Sequence, residues 1–131
     1  KLHAAPLTNN AKLGILHGAA AYVCQNSEGQ INDTESISAG LDYPGVSPIH
    51  CFLKDTKRAR YISATDEAAL SAYKLVTRLE RINPSLEPSH AFAEAIKIAP
   101  QLSKNTIIIV NSCGDAKKDR DILKARLGKI N

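Results

Sequence analysis

Several patterns that identify common protein classes are scarce or missing in this 131-residue sequence. Only three cysteines occur, Cys24, Cys51 and Cys113, and no two of them form a CxxC pair. An odd count without close pairs indicates neither a disulfide framework nor a zinc site. A reducing, cytoplasmic setting is therefore expected.

Long apolar runs are also missing. No stretch approaches the roughly 18 apolar residues of a membrane-spanning helix. The first ten residues, KLHAAPLTNN, have the pattern of neither a signal peptide nor an amphipathic targeting helix. Aromatic residues make up 5% of the chain, which leaves few side chains on which nucleic-acid bases could stack. We expect neither a membrane nor a nucleic acid among the partners.

Charge of one sign is not in large excess. The 17 basic and 13 acidic residues give a net charge of +4. The basic residues of the C-terminal end alternate with aspartates, which favours a solvated helix face over a nucleic-acid interface. Hydrophobic residues make up 44% and charged residues 23%, a composition typical of one globular domain with a modest core.

Three segments have the pattern of helices, and a fourth could form a helical turn. Asp66–Arg81 is predicted as an amphipathic helix, with Thr65 as its N-cap. The next helix is predicted to begin at Pro88, because proline is favoured at the first helical position, with Glu87 as the N-cap. Asp121–Leu127 is predicted to close the chain with a helix, and His50–Leu53 to form a short helical turn.

Extended segments are predicted between the helices. A hairpin or extended pair is expected across Ile15–Ile37, with its turn at Ser27–Gln30, and Tyr61–Ala64 is expected to be a short strand. The run TIIIV at Thr106–Val110 is unbroken and β-branched, which is typical of a strand buried on both faces of a parallel sheet. The predicted class is α/β, with a mostly parallel sheet, flanking helices and an N-terminal hairpin-like segment.

The loop after TIIIV is a candidate site on geometric grounds. Ligands of open α/β sheets lie beyond the carboxyl ends of the strands, and Asn111–Asp115 follows such an end directly. Its small side chains and Gly114 would let backbone N–H groups approach a ligand. A structural turn is the alternative interpretation.

A second unusual loop, SISAGLDYPGVSPIH, runs from Ser36 to His50. Its two prolines exclude a long helix, and Asp42 is its only acidic residue, with no lysine or arginine beside it. A lone carboxylate in such a loop could serve a ligand. It could also cap a turn, because Asp-x-Pro is a turn sequence.

Four segments match one protein family in the same order along the chain. They are SISAGLDYPGV at Ser36–Val46, RYISATDEAAL at Arg60–Leu70, NPSLEPSHAFAEA at Asn83–Ala95 and VNSCGDAKKD at Val110–Asp119. The stretch HAAPL at His3–Leu7 and the tail DILKAR at Asp121–Arg126 fit the same alignment. By these segments the whole of 1–131 resembles the C-terminal portion of the tryptophan synthase β subunit.

The resemblance implies an enzyme that makes L-tryptophan and water from L-serine and indole with pyridoxal 5'-phosphate (PLP), a PLP-dependent lyase of tryptophan biosynthesis. It implies part of a type II PLP-enzyme fold, with the cofactor between two α/β domains. The family's HKxN lysine motif and GGGSN phosphate loop do not occur in this sequence. The chain alone is therefore expected to lack the N-terminal PLP-lysine portion and to be inactive.

The resemblance also assigns roles within the AGLD loop. Asp42 corresponds to the family's acidic residue that recognises the serine hydroxyl and pairs with an arginine of the missing part. The main-chain carbonyls of Leu41, Tyr43 and Gly45 correspond to a site for a monovalent cation. Backbone oxygens suit such a cation, because they contribute dipoles without net charge.

Glu87 matches a glutamate that lies beside the cofactor ring in the family. Such a carboxylate could offset cationic character in a reaction intermediate or accept a proton; simple helix capping is the alternative. The residue facing the pyridine nitrogen of PLP is Cys113 in an ungapped alignment and Ser112 with a one-residue gap. Gly114 belongs to the same cofactor-binding segment.

The family implies further partners: the remainder of the β subunit, a second β subunit in a homodimer, and the tryptophan synthase α subunit. Two other hypotheses remain open at this point. The chain could be a degenerate, non-catalytic remnant that folds, or a small α/β module that binds another ligand.

Overall fold

A computed structural model describes residues 2–8 and 11–128 of the chain. They form mixed α/β structure in two units, Lys1–Ser63 and Ala64–Asn131. The strands are β1 (Lys12–Leu16) and β2 (Ala19–Val23), and the helices are α1 (Pro48–Asp55), α2 (Asp66–Glu80), α3 (Leu86–Ile98) and α4 (Arg120–Leu127). Short 3₁₀ helices lie at Ala99–Gln101 and Ala116–Asp119.

The first unit contains an antiparallel hairpin, in which Leu16 pairs with Ala19. Its two turn residues, His17 and Gly18, have φ of 51° and 79°. Positive φ at both positions is the type I′ geometry that matches the twist of a hairpin. A hairpin was predicted in this region with its turn at Ser27–Gln30. The β1–β2 pair is turned earlier, at His17 and Gly18. A turn also forms at the predicted position, where Gln25 and Ile31 make an isolated antiparallel bridge and the N–H of Asn26 donates to the carbonyl of Gln30 at 2.9 Å.

The AGLD loop packs against this hairpin. Gly45 forms an isolated bridge with Val23, and Cys24 donates its N–H to the carbonyl of Pro44, 2.7 Å away. A Cβ on Gly45 would lie 2.8 Å from Cδ2 of Leu16, so the close approach requires glycine. The core beneath consists of Leu7, Ala21, Val23 and Cys51.

Helix α1 is longer than the predicted turn at His50–Leu53. Ser47 is its N-cap, and the Ser47 hydroxyl accepts from the N–H of Ile49. Pro48 occupies the first helical position, where its missing N–H costs nothing. These two local signals extend the helix by two residues at its start.

In the second unit, α2 has almost the predicted bounds. Thr65 is the N-cap, as predicted, and its hydroxyl accepts from the N–H of Ala68 at 3.2 Å. Arg81 ends the helix in the left-handed conformation, at φ 60°. Helix α4 begins at Arg120, one residue before the predicted start, and buries Leu123.

The start of α3 was predicted two residues too late. The helix begins at Leu86 with Ser85 as its N-cap, so Glu87 lies in the first turn and is not the cap. The reason is tertiary: the side chain of Asp119 accepts the N–H of Leu86 at 2.7 Å and so stabilises an earlier start. Pro88 is accommodated in the first turn, where its missing N–H is not needed.

Thr106–Val110 and Tyr61–Ala64, both predicted as strands, are not strands in this structure. Ile107 is 86% exposed and Ile109 is 90% exposed, so the predicted burial of the first segment is wrong for this chain. A buried strand needs hydrogen-bonded neighbours on both sides. Among residues 2–8 and 11–128, the only sheet is the β1–β2 hairpin, which offers Thr106–Val110 no such neighbour.

The helices of the described residues are all too short or too polar to cross a membrane.

Candidate functional site

The start of α3 carries the glutamate predicted to be catalytic. Glu87 lies in the first turn, where the exposed N–H groups of a helix favour a negative charge. Its side chain is 18% exposed, and its Oε1 accepts a hydrogen bond from Nζ of Lys118. Glu87 is thus an anion with a defined counter-ion, and the lysine comes from a segment 31 residues further along the chain.

The loop predicted to face the cofactor lies against the same helix start. Ser85 donates its hydroxyl to the carbonyl of Cys113 at 2.9 Å. Gly114 has φ 96°, and a Cβ on it would lie 2.5 Å from Oγ of Ser85 and 3.6 Å from Oε2 of Glu87. The structure therefore brings Glu87 together with Cys113 and Gly114, although Glu87 is distant from both in the sequence.

The electrostatics of this cluster fix the charge of Lys118. Its hydrogen bond to Glu87 raises the pKa of the ammonium above its ordinary value, and a second hydrogen bond, to Asp119, acts in the same direction. Partial burial opposes these effects. Lys118 is therefore protonated at neutral pH, and Glu87 faces a full positive charge.

The residues of this loop suit one part of PLP. Ser112 and Cys113 are exposed and carry a hydroxyl and a thiol, either of which could face a ring nitrogen without adding a charge. Gly114 keeps the loop against Ser85, because any side chain would fill that space. The geometry does not favour Ser112 over Cys113, and both remain candidates.

Asp42 lies in the first unit, on a tightly turned backbone. The N–H groups of Leu41 and Asp42 both donate to the carbonyl of Ser38 at 3.0 Å. The Asp42 side chain is exposed, and within residues 2–8 and 11–128 no hydrogen bond of its carboxylate is recorded. The turn is held by backbone groups, so the capping interpretation of Asp42 finds no support among these residues.

The predicted cation site consists of the main-chain carbonyls of Leu41, Tyr43 and Gly45, which lie within five consecutive positions of the same loop. The carbonyl of Leu41 accepts from the N–H of Tyr43 at 2.9 Å, which leaves it one lone pair. The Tyr43 hydroxyl lies 2.5 Å from Nδ1 of His17 at the hairpin tip, and Gly45 is held by its bridge to Val23. The loop is thus anchored to the hairpin at Tyr43 and at Gly45.

The cysteines of the first unit have a packing role. Cys24 and Cys51 are buried, and burial raises the pKa of the Cys24 thiol. Cys51 accepts a weak hydrogen bond from the N–H of Tyr22 at 3.2 Å. Such thiols are poor nucleophiles. No cluster of three metal-binding side chains occurs in the described parts of the chain.

Three residues of the second-unit site were missed by sequence reasoning: Ser85, Lys118 and Asp119. The KKD sequence had been aligned with the family, but nothing in it shows that its lysine reaches Glu87. The His17–Tyr43 contact was missed too. The His-Gly dipeptide between two apolar runs was a signal for the hairpin turn that creates this contact.

The known proteins that the chain resembles include several that carry the same name. The chain is 51% identical over 126 residues to the tryptophan synthase beta chain of Bordetella petrii, a match that covers 96% of this chain and 31% of that protein. It is 51% identical over 117 residues to the beta chain of Chromobacterium violaceum, and 52% over 117 residues to that of Allorhizobium ampelinum. Each of these matches covers 89% of this chain and 29% of the relative. No protein-family model matches the chain.

All three relatives are chains of a synthase, so this chain is homologous to part of an enzyme subunit. The particular family is that of the tryptophan synthase beta chain, and the predicted resemblance to it is confirmed. The chain spans about three tenths of the length of the curated relatives it matches, 31% in the first case and 29% in the other two.

Proposed function

We propose that this chain forms the C-terminal part of a tryptophan synthase β subunit, which converts L-serine and indole into L-tryptophan and water. The observation that carries the proposal is the cluster at the start of α3. There a carboxylate with a fixed counter-ion lies beside the glycine loop that corresponds to the family's cofactor segment. In this proposal the chain works together with the remainder of the subunit, and its match to 31% of the first relative's length supports that arrangement.

In this proposal Glu87 is the group nearest the chemistry. PLP, when bound, supplies an electron-withdrawing ring that stabilises negative charge on the substrate. Ser112 or Cys113 faces the ring nitrogen, and Gly114 keeps that loop close to Glu87. The Glu87 carboxylate then stabilises positive charge that develops beside the ring, since charge placed in advance costs no reorganisation during the reaction.

Asp42 recognises the hydroxyl of serine and pairs with an arginine from the remainder of the subunit. Its exposed carboxylate on an anchored backbone supports this role. The carbonyls of Leu41, Tyr43 and Gly45 contribute to a monovalent-cation site in the same loop. The proposed assembly is a β homodimer that associates with an α subunit in the cytoplasm.

The sheet of the type II fold also belongs to this proposal. Thr106–Val110 lies exposed here, yet it is a β-branched run that precedes the candidate cofactor loop directly. In the complete subunit this segment becomes a strand of a mostly parallel sheet, with neighbouring strands from the remainder of the protein. Its apolar side chains are then covered.

One observation favours the alternative of a small ligand-binding module. The second unit has an open depression of about 540 Å³, lined by Tyr73, Asn83, Ala116, Lys117, Arg120, Asp121, Leu123 and Lys124. Three of these side chains are cationic and one is anionic, so the depression favours a small anionic ligand. Specific binding of such a ligand by this chain, without serine–indole activity in the complete subunit, would favour the module.

The function is tested by joining the chain to an N-terminal portion that carries the HKxN and GGGSN motifs. The joined protein should bind PLP and form tryptophan from serine and indole. A joined protein that folds and binds PLP, but forms no tryptophan, would indicate a degenerate remnant.

A separate prediction concerns the 131-residue chain by itself. Because its lysines lie outside any HKxN motif, we expect no lysine to form a specific covalent adduct with PLP. Titration with PLP, borohydride reduction and peptide mapping should show only sparse labelling spread over several lysines. One lysine labelled in a one-to-one ratio would contradict the prediction.

We also expect the 131-residue chain to self-associate. Ile107 and Ile109 expose nearly their whole side chains, and the adjacent backbone has no strand partner in the described residues. Sedimentation velocity should show oligomers that the double substitution Ile107→Lys and Ile109→Lys reduces. A matched change at exposed Leu13 and Ile15 of the hairpin should have less effect, because those strands are already paired. A compact wild-type monomer would refute this expectation.

A further inference from the structure

The first N–H of α3 is satisfied by a residue from a distant segment. Leu86 donates its backbone N–H to Oδ2 of Asp119 at 2.7 Å, across 33 residues. The Asp119 side chain is 1% exposed, and its Oδ1 accepts from Nζ of Lys118 at 3.2 Å. Both oxygens of this buried carboxylate are therefore paired, which is the condition under which a protein tolerates a buried charge.

Lys118 connects this buried carboxylate to the candidate catalytic one. Its ammonium donates to Oδ1 of Asp119 and to Oε1 of Glu87. Asp119 is anchored to the backbone of α3, and Glu87 belongs to the first turn of the same helix. The three side chains thus form a closed arrangement in which Asp119 fixes the ammonium and the ammonium fixes the Glu87 carboxylate.

The side chain that would ordinarily cap the start of α3, that of Ser85, bonds to a different group. Ser85 is the N-cap residue of α3, but its hydroxyl makes no capping bond and instead donates to the carbonyl of Cys113. Asp119 therefore supplies the capping that Ser85 does not. At the same time, the Ser85 contact keeps the Cys113–Gly114 loop against the helix start.

We propose that Asp119 is a positioning residue that holds Glu87 in place through Lys118 and the Leu86 N–H. The proposal deepens the proposed function and rests on it for its kinetic consequences. It also selects between the two roles left open for Glu87. The ammonium bonded to Oε1 stabilises the ionised carboxylate, so the arrangement favours Glu87 as a fixed anion over Glu87 as a proton acceptor. Positioning matters because a displacement of about 1 Å can cost on the order of 10²-fold in rate.

Two substitutions in the complete subunit separate positioning from capping. Lys118→Met breaks the connection but leaves Asp119 on the Leu86 N–H. Asp119→Asn keeps a good capping acceptor but removes the charge that holds the ammonium. Each should lower kcat by roughly 10- to 10²-fold, with a much smaller change in the KM for serine. The control is Lys97→Met, which breaks a similar lysine–glutamate pair further along α3, with Glu94; it should leave kcat unchanged.

Two measurements that do not depend on activity complete the test. Hydrogen exchange should show a protected Leu86 amide that Asp119→Ala exposes and Lys118→Met leaves protected. NMR of lysine ammonium groups should show that the Lys118 pKa falls towards its ordinary value in both Glu87→Gln and Asp119→Asn.

Normal kcat in both Lys118→Met and Asp119→Asn would overturn the proposal and leave Asp119 as a helix cap. If the wild-type subunit forms no tryptophan, the proposed function fails instead. The positioning proposal is then decided by the NMR and exchange results: a Lys118 titration that ignores both carboxylates overturns it, and one that responds to both supports it.

Discussion

Replacing Glu87 with alanine in the complete subunit should slow tryptophan formation by about 10²–10³-fold, while PLP binding changes little. The carboxylate lies beside the Gly114 loop and is held by Lys118, so its loss removes the fixed negative charge nearest the proposed cofactor ring. The cofactor phosphate is proposed to be held by the remainder of the subunit. Steady-state turnover of serine and indole, with PLP content measured on the same preparation, checks this result.

Glu94 offers a matched control on the same helix. Its side chain is 17% exposed, close to the 18% of Glu87, and it too pairs with a lysine. Glu94→Ala thus removes a similarly exposed, lysine-paired carboxylate from the same helix, and it should leave the rate unchanged. If Glu87→Ala loses only stability, by about 0.3–1 kcal/mol as for an anion in the first turn of a helix, and turns over normally per folded site, Glu87 is a structural residue of the helix start.

The second large effect is expected at Gly114. Gly114→Ala places a Cβ 2.5 Å from Oγ and 3.3 Å from Cβ of Ser85, at a φ of 96° that side-chain-bearing residues rarely adopt. Backbone strain of about 1–3 kcal/mol adds to the lost Ser85–Cys113 hydrogen bond, worth about 0.5–1.5 kcal/mol. We expect the free energy of unfolding to fall by roughly 1.5–4.5 kcal/mol.

Urea denaturation of the chain with Ile107 and Ile109 replaced by lysine can measure this loss. Gly128→Ala is the control, because Gly128 also has a positive φ, 76°, but a Cβ there would meet nothing within 4 Å. The difference between the two variants isolates the contact with Ser85. Adding Ser85→Ala should recover part of the loss; equal losses in Gly114→Ala and Gly128→Ala would show that the contact contributes nothing.

The features predicted best from the sequence are those that depend on hydrogen bonds and packing between residues close together in the chain. Thr65 caps α2 through the N–H of Ala68, three residues away, and the helix continues on its own apolar spacing. The family resemblance was equally accessible, because it rests on residue identity along the chain. The resemblance assigned roles to Glu87 and Gly114, and the two residues are neighbours in the structure.

The errors arose where a local signal competed with a distant partner. Pro88 favoured a later start for α3, but Asp119 reaches Leu86 from 33 residues away and extends the helix. Thr106–Val110 has the composition of a buried strand, but composition cannot supply the neighbouring strands that burial requires, and the described residues supply none.

The sequence by itself determined which family the chain resembles, where α2 begins and that Glu87 is the candidate catalytic carboxylate. Each of these follows from residue identity or from hydrogen bonds that span a few positions. Only the tertiary structure decided that Lys118 lies between Glu87 and Asp119 and that the Ser85 hydroxyl holds the Cys113 loop. The Lys118–Glu87 contact spans 31 positions and the Ser85–Cys113 contact spans 28. Their existence depends on the path of the folded chain, because a side chain can select such a partner only after packing has brought the two segments together.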